Sequence, residues 1–306
     1  MLNKLLPSVA ACALSLTACG RHAPQVDPVT YQKEIDDWKA GRLGRVTGPD
    51  GWTTLVGLYW LKPGTNRFGS DAGNDMQLSA AGFPAEVGNF DFDGKEVTFT
   101  AAKGVAVMSG SKPVTTIKMV NDADAGAVDP TTVTVGSVSF YAIKRNDKMG
   151  VRAKDTSADA RVHFKGLEYF PVSQDWRFEA KFEPYTPMKK IPIINILGME
   201  QDMPSPGALV FEVDGKPYSL DTVLEDGETD YFVMFADKTS GKQTYGAGRF
   251  IYVKPPVNGV TVLDFNKSYN PPCVFSPYAT CPLPPPQNRL AIAITAGELK
   301  YADSSH

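Results

Sequence analysis

Short apolar runs broken by glycine, aspartate and asparagine make up most of this chain. NRFGS, DMQLS, KEVTFTA, GVAVMS, TTIKMV, TVTVGSVSFYAIKR and GVRAK follow one another at spacings of about 8–12 residues, which is the rhythm of strands joined by turns. ARVHFKGLEYFPV, WRFEAKFEPY, ALVFEVDGKPYSL, DYFVMFAD, TYGAGRFIYV, GVTVLDFN and LAIAITAG extend the pattern toward the C-terminus. The Asp214-Gly215 and Ser240-Gly241 steps are hairpin signals. Helical spacing shows in one early segment, where Tyr31, Ile35, Trp38 and Leu43 share a face. Gly44, Gly48 and the Pro49-Asp50-Gly51 turn are expected to stop that helix. GWTTLVGLYWL fits either period; we read a helical turn leading into a strand near Tyr59, with its aromatics in the core.

The pattern predicts an all-β, mainly antiparallel fold. It comprises two packed β-sandwich or barrel-like modules, residues 31–155 and 156–300, with a short N-terminal helix. The boundary falls in the polar stretch KDTSADA. The order WLKPGTNRFGSDAGNDMQLS then DGKEVTFTA is loosely similar to the forkhead-associated sandwich. That resemblance implies architecture only, because Ser70 stands where that family places its phosphate-reading Arg.

Composition narrows the function class. With 306 residues, 42% hydrophobic and 21% charged, the chain can build a full core. A net charge of −3 with no basic run excludes nucleic acid as the expected partner. At the N-terminus, Lys4 precedes an apolar stretch from about Leu5 to Leu16, too short for a span of about 20 residues. Leu16-Thr17-Ala18-Cys19 resembles the bacterial lipobox, implying a signal peptide at 1–18, lipidation of Cys19 and a tether at 19–30. The expected location is therefore the cell envelope, as an outer-membrane lipoprotein facing the periplasm and held to the membrane through Cys19. Cys273 and Cys281 remain as an even pair in an oxidising compartment, where a disulfide is the default.

No H-E-x-x-H, G-x-S-x-G or strand-linked G-x-G-x-x-G occurs. Ser109-Gly110-Ser111-Lys112 matches S-x-x-K, but Gly110 and Pro113 make it a loop. His163 lies in a strand-like run and reads as structural. Cys273-x7-Cys281 is not a zinc spacing, and Glu225-Asp226-Gly227-Glu228 lacks the full calcium ligand set, so no metal and no cofactor are expected.

The densest chemistry runs from Asp237 to Glu298. Tyr245 and Arg249 flank Gly246 and Gly248 at a strand entrance; Asp264 and Asn266 share a strand face, and Asn270, Asn288 and Arg289 belong to the proline loop. Arg with carboxylates and amides can recognise a carboxylate, phosphate or sugar. The same groups can also fix a loop, with Asp264 paired to Arg249 and the asparagines capping turns. GWTTLVGLYWLKPGTNRFGSD, KRNDKMGVRAKD, ADKTSGKQTYGAGRF, DFNKSYNPPCVFSPYATCPLPPPQNRL and the AGE at 296–298 resemble the bacterial and archaeal domain-of-unknown-function family 1684 over about residues 30–299. The resemblance brings no settled reaction. Gln287 stands where relatives often carry Glu. The leading expectation is an envelope lipoprotein that binds a small polar or anionic ligand, or an envelope protein, through a C-terminal polar pocket. The alternatives are a hydrolase using Asp264 and Glu298 as acid and base, with Arg249 stabilising charge, and a purely structural lipoprotein.

Overall fold

The computed structural model describes residues 22–126, 128–302 and 304; the expected signal peptide at 1–18, the lipobox-like stretch and Cys19 lie outside them. Antiparallel sheet dominates, with one long N-terminal helix and several sheets, none closed into a barrel among the described residues. No helix among them is long and apolar enough to cross a membrane.

Two sheets form the first half. The strand Lys148–Asp155 lies between Leu55–Trp60 and Val138–Arg145 in a six-stranded sheet. Facing it is a five-stranded sheet that includes Gly64–Gly69, Gly88–Phe92 and Val97–Ala101. Alternation along each strand sends one set of side chains between the sheets. Phe68, Phe90, Phe99 and Phe140 meet there at ring separations of 4.9–5.8 Å. Val151 and Ala153 belong to the same core, so Arg152 is turned to the opposite face.

The second half is built on a long hairpin, Arg177–Ile194 with Glu200–Val213, extended by Lys216–Asp221 and Val260–Asp264. Asp214 and Gly215, both at positive φ, make the turn that the sequence signals. A two-stranded ribbon, Tyr231–Phe235 with Arg249–Val253, packs against this sheet. Alternation in the ribbon serves two cores at once. Val233 and Phe235 join Phe178, Phe211 and Phe265, whereas Phe232 and Met234 join a cluster with Val46, Leu55, Ile193 and Cys273. That second cluster draws on the helix and both halves of the chain.

The N-terminal segment differs from its expected form. The helix runs Pro28–Thr47, capped by the Asp27 side chain at Thr30 N. Gly44 does not end it, because a helix-interior glycine costs only about 1 kcal/mol and Val46, one turn beyond Arg42, is buried in the joint cluster. Within the stretch 19–30 expected as a tether, residues 22–26 are docked: His22 pairs with Phe178, and the Gln174 side chain bonds both backbone groups of Val26. Leu55–Trp60 is strand from its first residue, after a single 3-10 turn at Trp52–Thr54. His163 caps a four-residue helix, Asp159–Val162, and is not in a strand. Its exposed ring meets Asp159 at 2.6 Å, an i,i+4 contact available only in a helix.

Candidate functional site

The polar residues anticipated in the C-terminal half form an internal framework, organised in three knots. In the first, Arg249 pairs with Asp237 at 2.7 Å, both side chains fully buried, and also donates to the carbonyls of Ile294 (3.0 Å) and Ala296. Asp264 is therefore not its partner. Burial lowers the Arg249 pKa and Asp237 opposes that. Gly248, at positive φ, lets the chain approach Phe235 O and Pro284, where a Cβ would sit 2.5–2.6 Å from each.

In the second knot, Asp264 accepts the Tyr31 hydroxyl on both oxygens (3.0 and 2.9 Å) and caps its own 3-10 turn at Asn266 N. Asn266 bonds Tyr31, Asp264 and both backbone groups of Ser173. Burial, then Asp264, raises the Tyr31 pKa, so its proton stays in place. In the third, Glu298 accepts Arg42 Nε (2.8 Å) on one oxygen and Asn270 N (2.8 Å) on the other. Asp264 and Glu298 are thus each buried and held by separate partners, and no hydrogen bond links them among the described residues.

Asn288 fastens Asp221 and Met234 through three hydrogen bonds. Tyr245 is buried in the joint cluster, and Arg289 is exposed beside a bridge to Ala236. Cys273 and Cys281 form the disulfide. None of the seven anticipated ligand-binding residues is among those lining the cavity described next.

That cavity, about 630 Å³, lies where the two halves and the helix meet. This is within the roughly 300–1,000 Å³ usual for small-molecule sites. Trp38, Arg42 and Arg45 come from one helix face, and Trp52, Arg145 and Arg152 from the first half. Tyr252, Tyr269 and Glu225 come from the second, with the disulfide loop at Thr280 and Cys281. The hairpin end closes one side: Ile196 N bonds Cys281 O, and Glu200 O accepts Asn146 Nδ2 across the junction.

Five basic residues line the cavity, Arg42, Arg45, Arg145, Arg152 and Lys267, against two acids, Glu225 and Asp226. Glu298 neutralises Arg42, Asp122 neutralises Arg145, and Glu34 neutralises Lys267. Arg152 differs. It is only 4% exposed, has no carboxylate partner among the described residues, and leaves Nε without a hydrogen bond there. Its contacts are a 3.3 Å bond from Nη2 to Thr280 Oγ1 and the Trp52 ring 5.9 Å away. Cross-strand neighbours Leu58 and Tyr141 set its place in the sheet.

Glu225 lies at another part of the wall. Its Oε2 accepts a short hydrogen bond from the Tyr252 hydroxyl. Burial raises the Glu225 pKa; the Tyr252 bond opposes this and Glu228 adds to it. An acid whose folded pKa is raised holds its proton more tightly folded than unfolded. Its contribution to stability is therefore full at low pH and declines as pH rises past its ordinary value of 4.5. Glu225→Gln should remove that decline, and identical pH–Tm curves for variant and wild type would refute the assignment.

Sequence comparison places the second half. Residues 162–299 match the family described as "Protein of unknown function (DUF1684)". Through these residues the chain belongs to DUF1684. An uncharacterized protein of Haloarcula marismortui, known from a solution NMR structure, is 31% identical to this DUF1684 chain. That similarity spans 48% of this chain and 81% of the other, with a TM-score of 0.39. The crystal structure of the FhaA FHA domain complexed with the intracellular domain of Rv3910 is 12% identical over 31% of this chain and 96% of its own, at a TM-score of 0.22, too slight to bear on fold or binding. No curated protein matches. The DUF1684 segment contains Asp237, Arg249, Asp264, Asn266 and Glu298 of the framework, the disulfide, Glu225 and Tyr252, whereas the framework's Tyr31 and Arg42 come from the helix before it. Trp52 and Arg152 lie before it.

Among the described residues no group of three or more His, Cys, Asp or Glu is placed to hold a metal ion. A buried guanidinium with an unused donor beside an aromatic ring has the chemistry to hydrogen-bond an anion attached to an apolar or flat body.

Proposed function

We propose that this chain binds a small anionic ligand, a carboxylate or phosphate on an apolar or aromatic body, in the cavity between its two halves. Arg152 is the anion anchor. The observation that carries this reading is a cation almost wholly removed from water with no counter-charge among the described residues. A buried unpaired charge is costly, and a ligand anion would offset that cost through charge-assisted hydrogen bonds. The framework around Arg249, Asp264, Asn266, Asn270 and Asn288 supports the site by fixing the wall behind it. In the cell, on this reading, the protein is an envelope lipoprotein tethered through Cys19, with the cavity open to the periplasm.

Titration with benzoate and with inorganic phosphate, followed by tryptophan fluorescence through Trp52 and Trp38, tests the proposal. Saturable binding is expected for at least one of them. Arg152→Gln should weaken it by about 10- to 100-fold, the equivalent of one lost charge-assisted bond. Absence of saturable binding to either anion, or equal affinity in the variant, would overturn it.

A further inference from the structure

Pairing off the charged groups of the cavity leaves a residue of both signs. Three of the five basic side chains have carboxylate partners; Arg152 and Arg45 have none among the described residues. Both acidic side chains, Glu225 and Asp226, lack a cationic partner there. A site built only for an anion would not gain from two unpaired acids in its own wall, because they repel it.

Glu225 is poised to accept. One oxygen takes the Tyr252 hydroxyl, while Oε1 takes no hydrogen bond from any described residue. Tyr252 holds the carboxylate in place and also carries a usable surface. Its ring packs on Phe232 at 5.0 Å and on Tyr269 at 6.4 Å, yet the residue is 41% exposed. Tyr269 in turn lies 4.6 Å under the Arg42 guanidinium. One wall is thus a continuous shelf of rings running from a neutralised cation to a free carboxylate oxygen. Arg152 and Trp52 come from the other half of the chain.

We propose that the ligand is a zwitterion with separated charges: its anion sits at Arg152, its flat or apolar body lies on Tyr252, and its ammonium donates to Glu225. This rests on the anion site proposed above and adds the second anchor. Amino-terminated aromatic acids and short peptides belong to this chemical class.

Two isosteric probes separate the ideas: 4-ethylbenzoate and 4-(aminomethyl)benzoate differ only in the ammonium group. Calorimetric titration of the intact protein should show the amine-bearing probe binding about tenfold tighter, the gain of one charge-assisted bond. Glu225→Gln should bring the ratio of the two affinities toward one, with an unfolding midpoint confirming that the variant is folded. Arg152→Gln should weaken both probes. If 4-ethylbenzoate binds through Arg152 and the ammonium confers no advantage, the zwitterion proposal fails while the anion site stands. If neither probe binds, the zwitterion proposal falls, and the anion site falls with it when inorganic phosphate also fails to bind; if binding ignores Arg152, both readings fall. Adding 4-methylbenzylamine, a cation without the carboxylate, completes the set. Binding of that amine as tight as that of 4-(aminomethyl)benzoate would overturn the anion anchor and the two-ended ligand together.

Discussion

Arg249→Ala is expected to be the most destabilising single substitution in the polar framework, lowering unfolding free energy by about 3–5 kcal/mol, as when one partner is removed from a buried ion pair. The reason lies in what remains. Asp237 is fully buried; Arg249 supplies the charge opposite one oxygen, while Thr239 N and Oγ1 bond the other at 2.6 and 2.5 Å. Without Arg249 that carboxylate has lost its counter-charge and sits in a region water does not reach. The carbonyls of Ile294 and Ala296 lose their donor as well. Replacing both charges, as in Arg249→Met with Asp237→Leu, should recover part of the loss, because apolar groups of similar volume avoid the desolvation penalty. Denaturant unfolding of wild type, Arg249→Met, Asp237→Leu and the double variant in a double-mutant cycle measures the coupling. An Arg249→Ala cost under about 1 kcal/mol, the range of an exposed pair, would refute the buried-pair account.

The strands were legible because alternation and turn chemistry act locally. VTFTA, TVTV and the Asp214-Gly215 turn contain within a few residues what they need to form. The polar framework was legible as a set of residues but not as pairs. Arg249 and Asp264 lie on neighbouring segments of sequence, yet the ribbon's edge brings Arg249 to Asp237, and helix packing brings Tyr31 to Asp264 across 233 residues. Arg152 was hidden for a related reason. In KMGVRAKD it occupies the face opposite Val151 and Ala153, where an arginine in a one-sided sheet points to water. Here that face is covered in part by the disulfide loop, whose Thr280, 128 residues later, bonds the guanidinium. Glu225 lies in an acidic turn, Glu225-Asp226-Gly227-Glu228, whose sequence suggests only calcium chemistry. Its link to the cavity needs Tyr252, on a strand that the turn does not precede directly in the sheet. The AGE at 296–298, by contrast, now has a physical role at each position. Ala296 O accepts Arg249, Gly297 takes positive φ against Ser268, and Glu298 holds Arg42.

That last pair predicts the second large effect. Arg42→Ala should cost about 3–5 kcal/mol and should also disturb the cavity, because Arg42 belongs to its wall. Arg42 uses its guanidinium in three ways: Nε on Glu298, Nη2 on the Asn270 carbonyl at 2.8 Å, and its plane over Tyr269 at 4.6 Å. Alanine removes all three and leaves Glu298, wholly buried, with only the Asn270 amide and a 3.4 Å contact from Tyr169. Lysine keeps the charge but offers no planar fork and no stacking face, so Arg42→Lys should fall between wild type and alanine instead of matching wild type. Glu298→Gln removes the opposite charge while keeping the shape, and should cost less than Arg42→Ala because Arg42 retains the Asn270 carbonyl and the ring. The order wild type, Glu298→Gln, Arg42→Ala in unfolding midpoint is the expected result. The stacked ring links stability to binding, since Tyr269 supports Tyr252, which positions Glu225. Arg42→Lys should accordingly reduce the preference for 4-(aminomethyl)benzoate over 4-ethylbenzoate. A lysine variant as stable and as selective as wild type would show that Arg42 acts as a point charge alone, and the ring shelf would then have no part in aligning the acid.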